Sequence, residues 1–220
     1  MKIILLVLGM LPIFSIAQRN CHTMENLNLL LQEDEHYLER LEKLEQFTQH
    51  AILSGKVNQN KAVITIPVVV HVVYNTSSQN ISDAQIQSQL NVLNQDFRKL
   101  NSDVNLVPST FTSLVADAEI NFCLANRDPA GNATSGIVRV QTNQSSFSTN
   151  NGVKFASSGG SNAWPANQYL NIWVCNMSGG ILGYAQFPGG GASTDGVVVG
   201  YTCFGTTGTA QAPFNKGRTT

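Results

Sequence analysis

The apolar positions of this chain follow different periods in different parts, and each period predicts a different element. Residues 3–16 are an almost unbroken apolar run behind Lys2, closing on Ser15-Ile16-Ala17 before Gln18. A basic start, a short apolar stretch and a small-x-small ending predict a signal peptide over 1–17. The run is shorter than the ~20 apolar residues of a spanning helix, so no membrane anchor is expected. From Leu27 through Leu30, Leu31, Tyr37, Leu38, Leu41 and Leu44 to Phe47 the apolar residues recur three and four apart. That is the stripe of an amphipathic helix, here in two pieces. Residues 54–61 are polar and unpatterned, where a cut in the chain would fall.

Beyond this point the pattern turns to strands. Residues 63–74 (VITIPVVVHVVY) form a β-branched run that predicts a central strand, with His71 as a satisfied core residue. Ser82-Asp83-Ala84-Gln85 has the form of a capping box. It opens a helix whose apolar face is Ile86, Leu90, Leu93, Phe97 and Leu100, ended by the turn signals at Asn101-Ser102-Asp103 and Pro108. Such a helix packs on a sheet and links parallel strands. Further strands are predicted at 118–125, 170–175 and 197–201, with a short exposed one at 136–141. Residues 145–162, including Ser158-Gly159-Gly160-Ser161, read as a flexible polar loop. Residues 183–187 are bounded by Gly179-Gly180 and Pro188-Gly189-Gly190-Gly191, the punctuation of a short edge strand. The predicted class is α/β (α+β): a twisted, mixed five-stranded sheet with a packed helix, preceded by a helical leader.

Composition narrows the function. Charged residues are 12% of the chain and the net charge is −1, so neither nucleic acid nor an anionic membrane is an expected partner. Cys21, Cys123, Cys175 and Cys203 lack C-x-x-C spacing; among the last three, one disulfide or none remains open. His22, His36, His50 and His71 include no pair at the i, i+4 spacing of a helical zinc site. Asn75, Asn80, Asn132, Asn143 and Asn176 stand in N-x-S/T sequons, which matter only in a glycosylating host.

The text LNIWVCNMSGGILGYAQFPGG, followed by DGVVVGY, FGT and GRTT, resembles the pappalysin branch of the metzincin zinc endopeptidases. The likeness runs from about Val63 to Thr220 and includes Arg19–Glu25 in the leader. In that family the Gly-Arg-Thr segment leads into a helix bearing H-E-x-x-H-x-x-G-x-x-H, which is not in this chain. The resemblance implies a pro-segment over 18–54 and the upper (N-terminal) subdomain of a metzincin over 55–220. It implies zinc, with calcium as a further ion, and zinc-ligand histidines beyond Thr220. It makes Gly183, Tyr184, Ala185, Gln186 and Phe187 the edge strand that pairs with an extended protein or peptide substrate. It also makes Cys21, in R-x-C-x-T-M-E, a metal ligand of latency: a thiolate in the open zinc position excludes the catalytic water. His22 stands where the family usually has Gly.

Two functions follow. One is a secreted zinc-dependent endopeptidase precursor, hydrolysing peptide bonds with zinc-activated water and inactive as the chain stands. The alternative is a secreted, non-catalytic peptide-binding module using the same open edge. The leader is correspondingly a pro-segment or a solvated helical linker.

Overall fold

The computed structural model describes residues 22–55 and 62–220. The expected signal peptide, Cys21 and most of the 54–61 connection lie outside them. The leader forms helices α1 (Thr23–Glu33) and α2 (Tyr37–Leu53), separated by an elbow at Asp34. The stripe therefore does break into two pieces, and only its first part is covered: Leu30 and Tyr37 are buried, while Leu44, Phe47, Ile52 and Leu53 are exposed.

A mixed sheet follows, with strands β1 (Ile64–Tyr74), β2 (Ile120–Leu124), β3 (Ile137–Gln141), β4 (Leu170–Cys175), β5 (Gly183–Ala185) and β6 (Val197–Gly200). Its order is β2-β1-β4-β6-β5, with β3 also on β1. The sheet has six strands, not five. β2 pairs with Ile64–Val68 and β3 with Val70–Tyr74, end to end along one side of the long β1, so the sheet is still five strands wide. β3 is half-buried rather than exposed because it completes this side. All pairings are parallel except β5 on β6.

The unbroken apolar run of β1 reflects burial on both faces, as in parallel sheets generally. Val68, Val70 and Val72 point toward α3 (Asp83–Phe97) and meet Ile86, Leu90 and Leu93, with Ile172, Val174 and Phe204. Val73 points the other way, to Trp173, Tyr184, Val198, Phe147 and Val153. That second face is covered by the segment 145–163, which is no flexible loop. It contributes buried Phe147, Val153, Lys154 and Ser161. At Gly160 an added Cβ would lie 2.1 Å from the Val153 carbonyl oxygen, so only glycine fits there.

α3 departs from expectation at both ends. The Ser82 hydroxyl accepts the Gln85 N–H at 3.2 Å, but the Gln85 side chain does not reach back. It turns inward, where its amide donates to the Tyr201 and Phe204 carbonyls and its oxygen accepts from the Thr209 N–H. The full reciprocal box occurs instead at Thr76 and Gln79. The helix stops at Phe97, and Leu100 lies in solvent. Cys123, Cys175 and Cys203 are free thiols; Cys123 is exposed and the other two are buried.

Candidate functional site

β5 lies at one edge of the sheet, and its own residues and those after it explain its short length. Gly183 packs so closely on β6 that a Cβ would come within 2.4 Å of the Val198 carbonyl oxygen. Tyr184 turns its ring into the core between Trp173 and Val198, and burial pushes its phenol well above the ordinary range. Regular pairing ends at Ala185 opposite Val197. Gln186 and Phe187 therefore lie past the strand. Gln186 folds into its own loop, donating to the Gly191 carbonyl at 3.1 Å and accepting from the Thr194 hydroxyl at 2.6 Å.

An edge strand presents main-chain groups that any extended chain can pair with. Here the leader meets them. The His22 N–H donates to the Gly183 carbonyl at 3.3 Å, and the Ala185 N–H donates to the Thr23 hydroxyl at 3.2 Å. Beside this contact opens a cavity of about 820 Å³ lined by Thr23, Gly183, Ala185, Phe214, Arg218 and Thr220, among others. The residue before His22 is Cys21, outside the described residues. Among the described residues, no group of three or more His, Cys, Asp and Glu could hold a metal ion. The described residues therefore do not themselves form the zinc site that the resemblance implies.

The leader holds the domain elsewhere too. The Asn26 amide, buried in α1, donates to the Thr149 carbonyl at 3.0 Å. The Tyr37 hydroxyl donates to the Phe187 carbonyl at 2.6 Å, and Arg40 Nε donates to the Gly189 carbonyl at 2.6 Å. Asp34 pairs with the Arg40 guanidinium, which holds its carboxyl below the ordinary range.

Two buried titratable groups brace the sheet behind the edge. Lys154 lies over the rings of Trp173 and Tyr184, at 5.4 Å and 5.0 Å, and donates to the Thr194 carbonyl at 2.6 Å. Burial pulls its ammonium down to about 7, with Asp195 opposing. His71 is the satisfied core residue expected, between Ser161 and Asn171 and stacked on Trp173. On the far side, α3 moors the segment after β6. Gln89 accepts the Gly205 N–H and donates to the Gly217 carbonyl, each at 2.7 Å. Arg218 pairs with both Asp96 and Asp103, and that guanidinium holds the Asp103 carboxyl well below the ordinary carboxylate range.

Sequence reasoning found the edge strand but missed Asn26, Lys154, Gln89 and the paired use of Tyr37 and Arg40. In the sequence Tyr37 stands only as an apolar position in a stripe. The one available signal was Tyr-x-x-Arg at the start of α2, which puts both side chains on one helix face.

Solved structures give the comparison. Mature mirolysin of Tannerella forsythia in complex with a cleaved peptide is 54% identical, with a TM-score of 0.71 over 73% of this chain and 61% of that one. A promirolysin mutant of the same organism is 46% identical, with a TM-score of 0.80 over 91% of this chain and 66% of that one. Mirolysin in complex with a small compound is 54% identical, with a TM-score of 0.68 over 72% of this chain and 60% of that one. The chain spans less than two thirds of the length of each. No family model matches it, and no curated protein does.

Proposed function

We propose that this chain, built on the metzincin-type fold of mirolysin and promirolysin, belongs to the precursor of a secreted zinc metalloendopeptidase of the pappalysin type. The observation that carries the reading is the leader on the β5 edge: His22 and Thr23 take the main-chain groups of Gly183 and Ala185. A strand edge whose outward main-chain groups are taken by the start of α1, beside a cavity, has the donors and acceptors that β-augmentation by an extended peptide substrate needs. A leader sitting there suits a zymogen. That mirolysin has been solved with a cleaved peptide, and a promirolysin alongside it, supports both halves.

In this reading, the outward main-chain groups of Gly183 and Ala185 hold substrate main chain, Tyr184 between them anchors the strand in the core, and Gln186 and Phe187 shape the loop beyond. Zinc would supply Lewis-acid activation of water, through ligands that are not among the described residues. This chain's own part is to bind the peptide backbone and keep it blocked until the leader goes. Cys21 is the residue before His22 in the sequence, and the reading gives it the role of the latency thiolate. The binding-module alternative has no observation in its favour over this one.

The test is to express the gene for this chain with any coding sequence that continues it, and to follow cleavage of casein. Chelator-sensitive turnover after removal of the leader is expected, and Cys21→Ala should hasten self-cleavage near residue 54. A full-length product without chelator-sensitive activity would overturn the peptidase assignment. Residues 1–220 alone should give no such turnover, and turnover there would overturn the placing of the zinc ligands outside them.

A further inference from the structure

We infer that the groove between the segments 149–155 and 186–194 is a docking site for the leader's elbow, and that it keeps the leader bound after the 56–61 connection is cut. The inference rests on reading the leader as a pro-segment. It extends that reading from blockage within the chain to inhibition by a separate piece.

The groove takes the leader by side chains that meet main-chain acceptors. Asn26 reaches the Thr149 carbonyl, Tyr37 the Phe187 carbonyl and Arg40 the Gly189 carbonyl. Asn26 and Tyr37 are each 1% exposed and Leu30 is 9% exposed, so these are buried anchors. Arg40 is aimed by Asp34 across the elbow and lies 5.5 Å from the centre of the Tyr37 ring. A tyrosine and an arginine three residues apart, the tyrosine buried and the arginine half-exposed beside it, are residue types that dominate binding energy at interfaces.

The groove is also held by the domain's own bonds. Lys154 fixes the Thr194 carbonyl, and Gln186 ties Gly191 and Thr194 together. These bonds tie together the two ends of the loop that carries the Phe187 and Gly189 carbonyls, which lowers the ordering cost of the leader's return.

Among the described residues the anchors end at Arg40. Beyond it α2 runs out with Leu44, Phe47, Ile52 and Leu53 exposed. A cut at 56–61 leaves the Asn26, Tyr37 and Arg40 contacts on the leader's own piece and lowers only its effective concentration.

The test places a site-specific protease sequence at 57–60 of the chain, in a Cys21→Ala background, and follows the cut protein by size-exclusion chromatography at micromolar concentration. The two pieces should co-elute. With Tyr37→Ala and Arg40→Ala together they should separate, and Tyr37→Phe should release the leader several-fold faster, as loss of one hydrogen bond implies. Separation of the pieces without these substitutions overturns the docking site, as does undiminished co-elution of the double variant. If the double variant fails to fold before cutting, Tyr37→Phe decides: an unchanged release rate overturns the inference. Because the readout is association, a full-length protein without peptidase activity would refute the proposed function and leave this result standing.

Discussion

Acidification should destabilise this protein through His71 before its ordinary carboxylates are protonated. His71 is fully buried in β1. Asn171 fixes the tautomer: its side-chain oxygen accepts the Trp164 N–H at 2.8 Å, while its amide donates to the Trp164 carbonyl at 2.9 Å. The oxygen that faces His71 Nε2 at 3.0 Å is therefore an acceptor, so Nε2 carries the proton. Nδ1 then accepts from the Ser161 hydroxyl at 2.9 Å. A second proton would put a charge among Trp173, Trp164 and valines. Burial accordingly lowers the pKa from 6.5 to about 4, with the Asn171 bond opposing. The unfolded chain binds this proton more readily than the folded one, so stability is intact above 6.5 and falls as pH drops toward the folded value. At 1.36 kcal/mol per unit, the loss is about 2 kcal/mol by roughly pH 5 and about 3 kcal/mol below the folded pKa. That is a large share of the ~5–15 kcal/mol that holds a typical domain. Urea unfolding across this range, with the imidazole followed by NMR, checks the reasoning. An imidazole titrating near its ordinary value in the folded protein, or stability flat from neutral pH to roughly pH 5, would refute it.

Gly183→Val should destabilise by ~1–3 kcal/mol, because its Cβ meets the Val198 carbonyl oxygen at 2.4 Å; an unchanged urea midpoint would show that β5 can move away from β6. Gln85→Leu strands the Phe204 carbonyl and the Thr209 N–H and leaves the Tyr201 carbonyl with only the long bond from the Thr209 hydroxyl. A loss of at least ~1–3 kcal/mol is expected in the same assay, with wild-type stability as the contrary result. Arg218→Ala releases Asp96 and Asp103; amide exchange in 214–220 should quicken while α3 keeps its protection, and unchanged exchange would assign the mooring to Gln89 alone.

Local pattern determined much of this fold. The β1 run, the apolar face of α3 from Ile86 to Leu93, the two-piece leader stripe and the glycine-bounded β5 are legible because burial imposes a period on neighbours in sequence. What the period could not carry was the identity of distant partners. Nothing local places β2 and β3 end to end on β1, and that arrangement makes six strands five wide. Nothing local turns Gln85 away from its own helix terminus toward Tyr201 and Thr209, 116 and 124 residues away. The polar segment 145–163 reads as solvent-facing because its buried members are scattered, yet it roofs a sheet face with Lys154 beneath Tyr184. The candidate site divides the same way. The edge strand is written in residues 183–185 and the glycines around them, but its occupant comes from 22–40. Main-chain acceptors such as the Phe187 and Gly189 carbonyls exist at every residue. Only tertiary packing decides which of them face Tyr37 and Arg40, and at the buried Tyr37 an unmade hydrogen bond is costly.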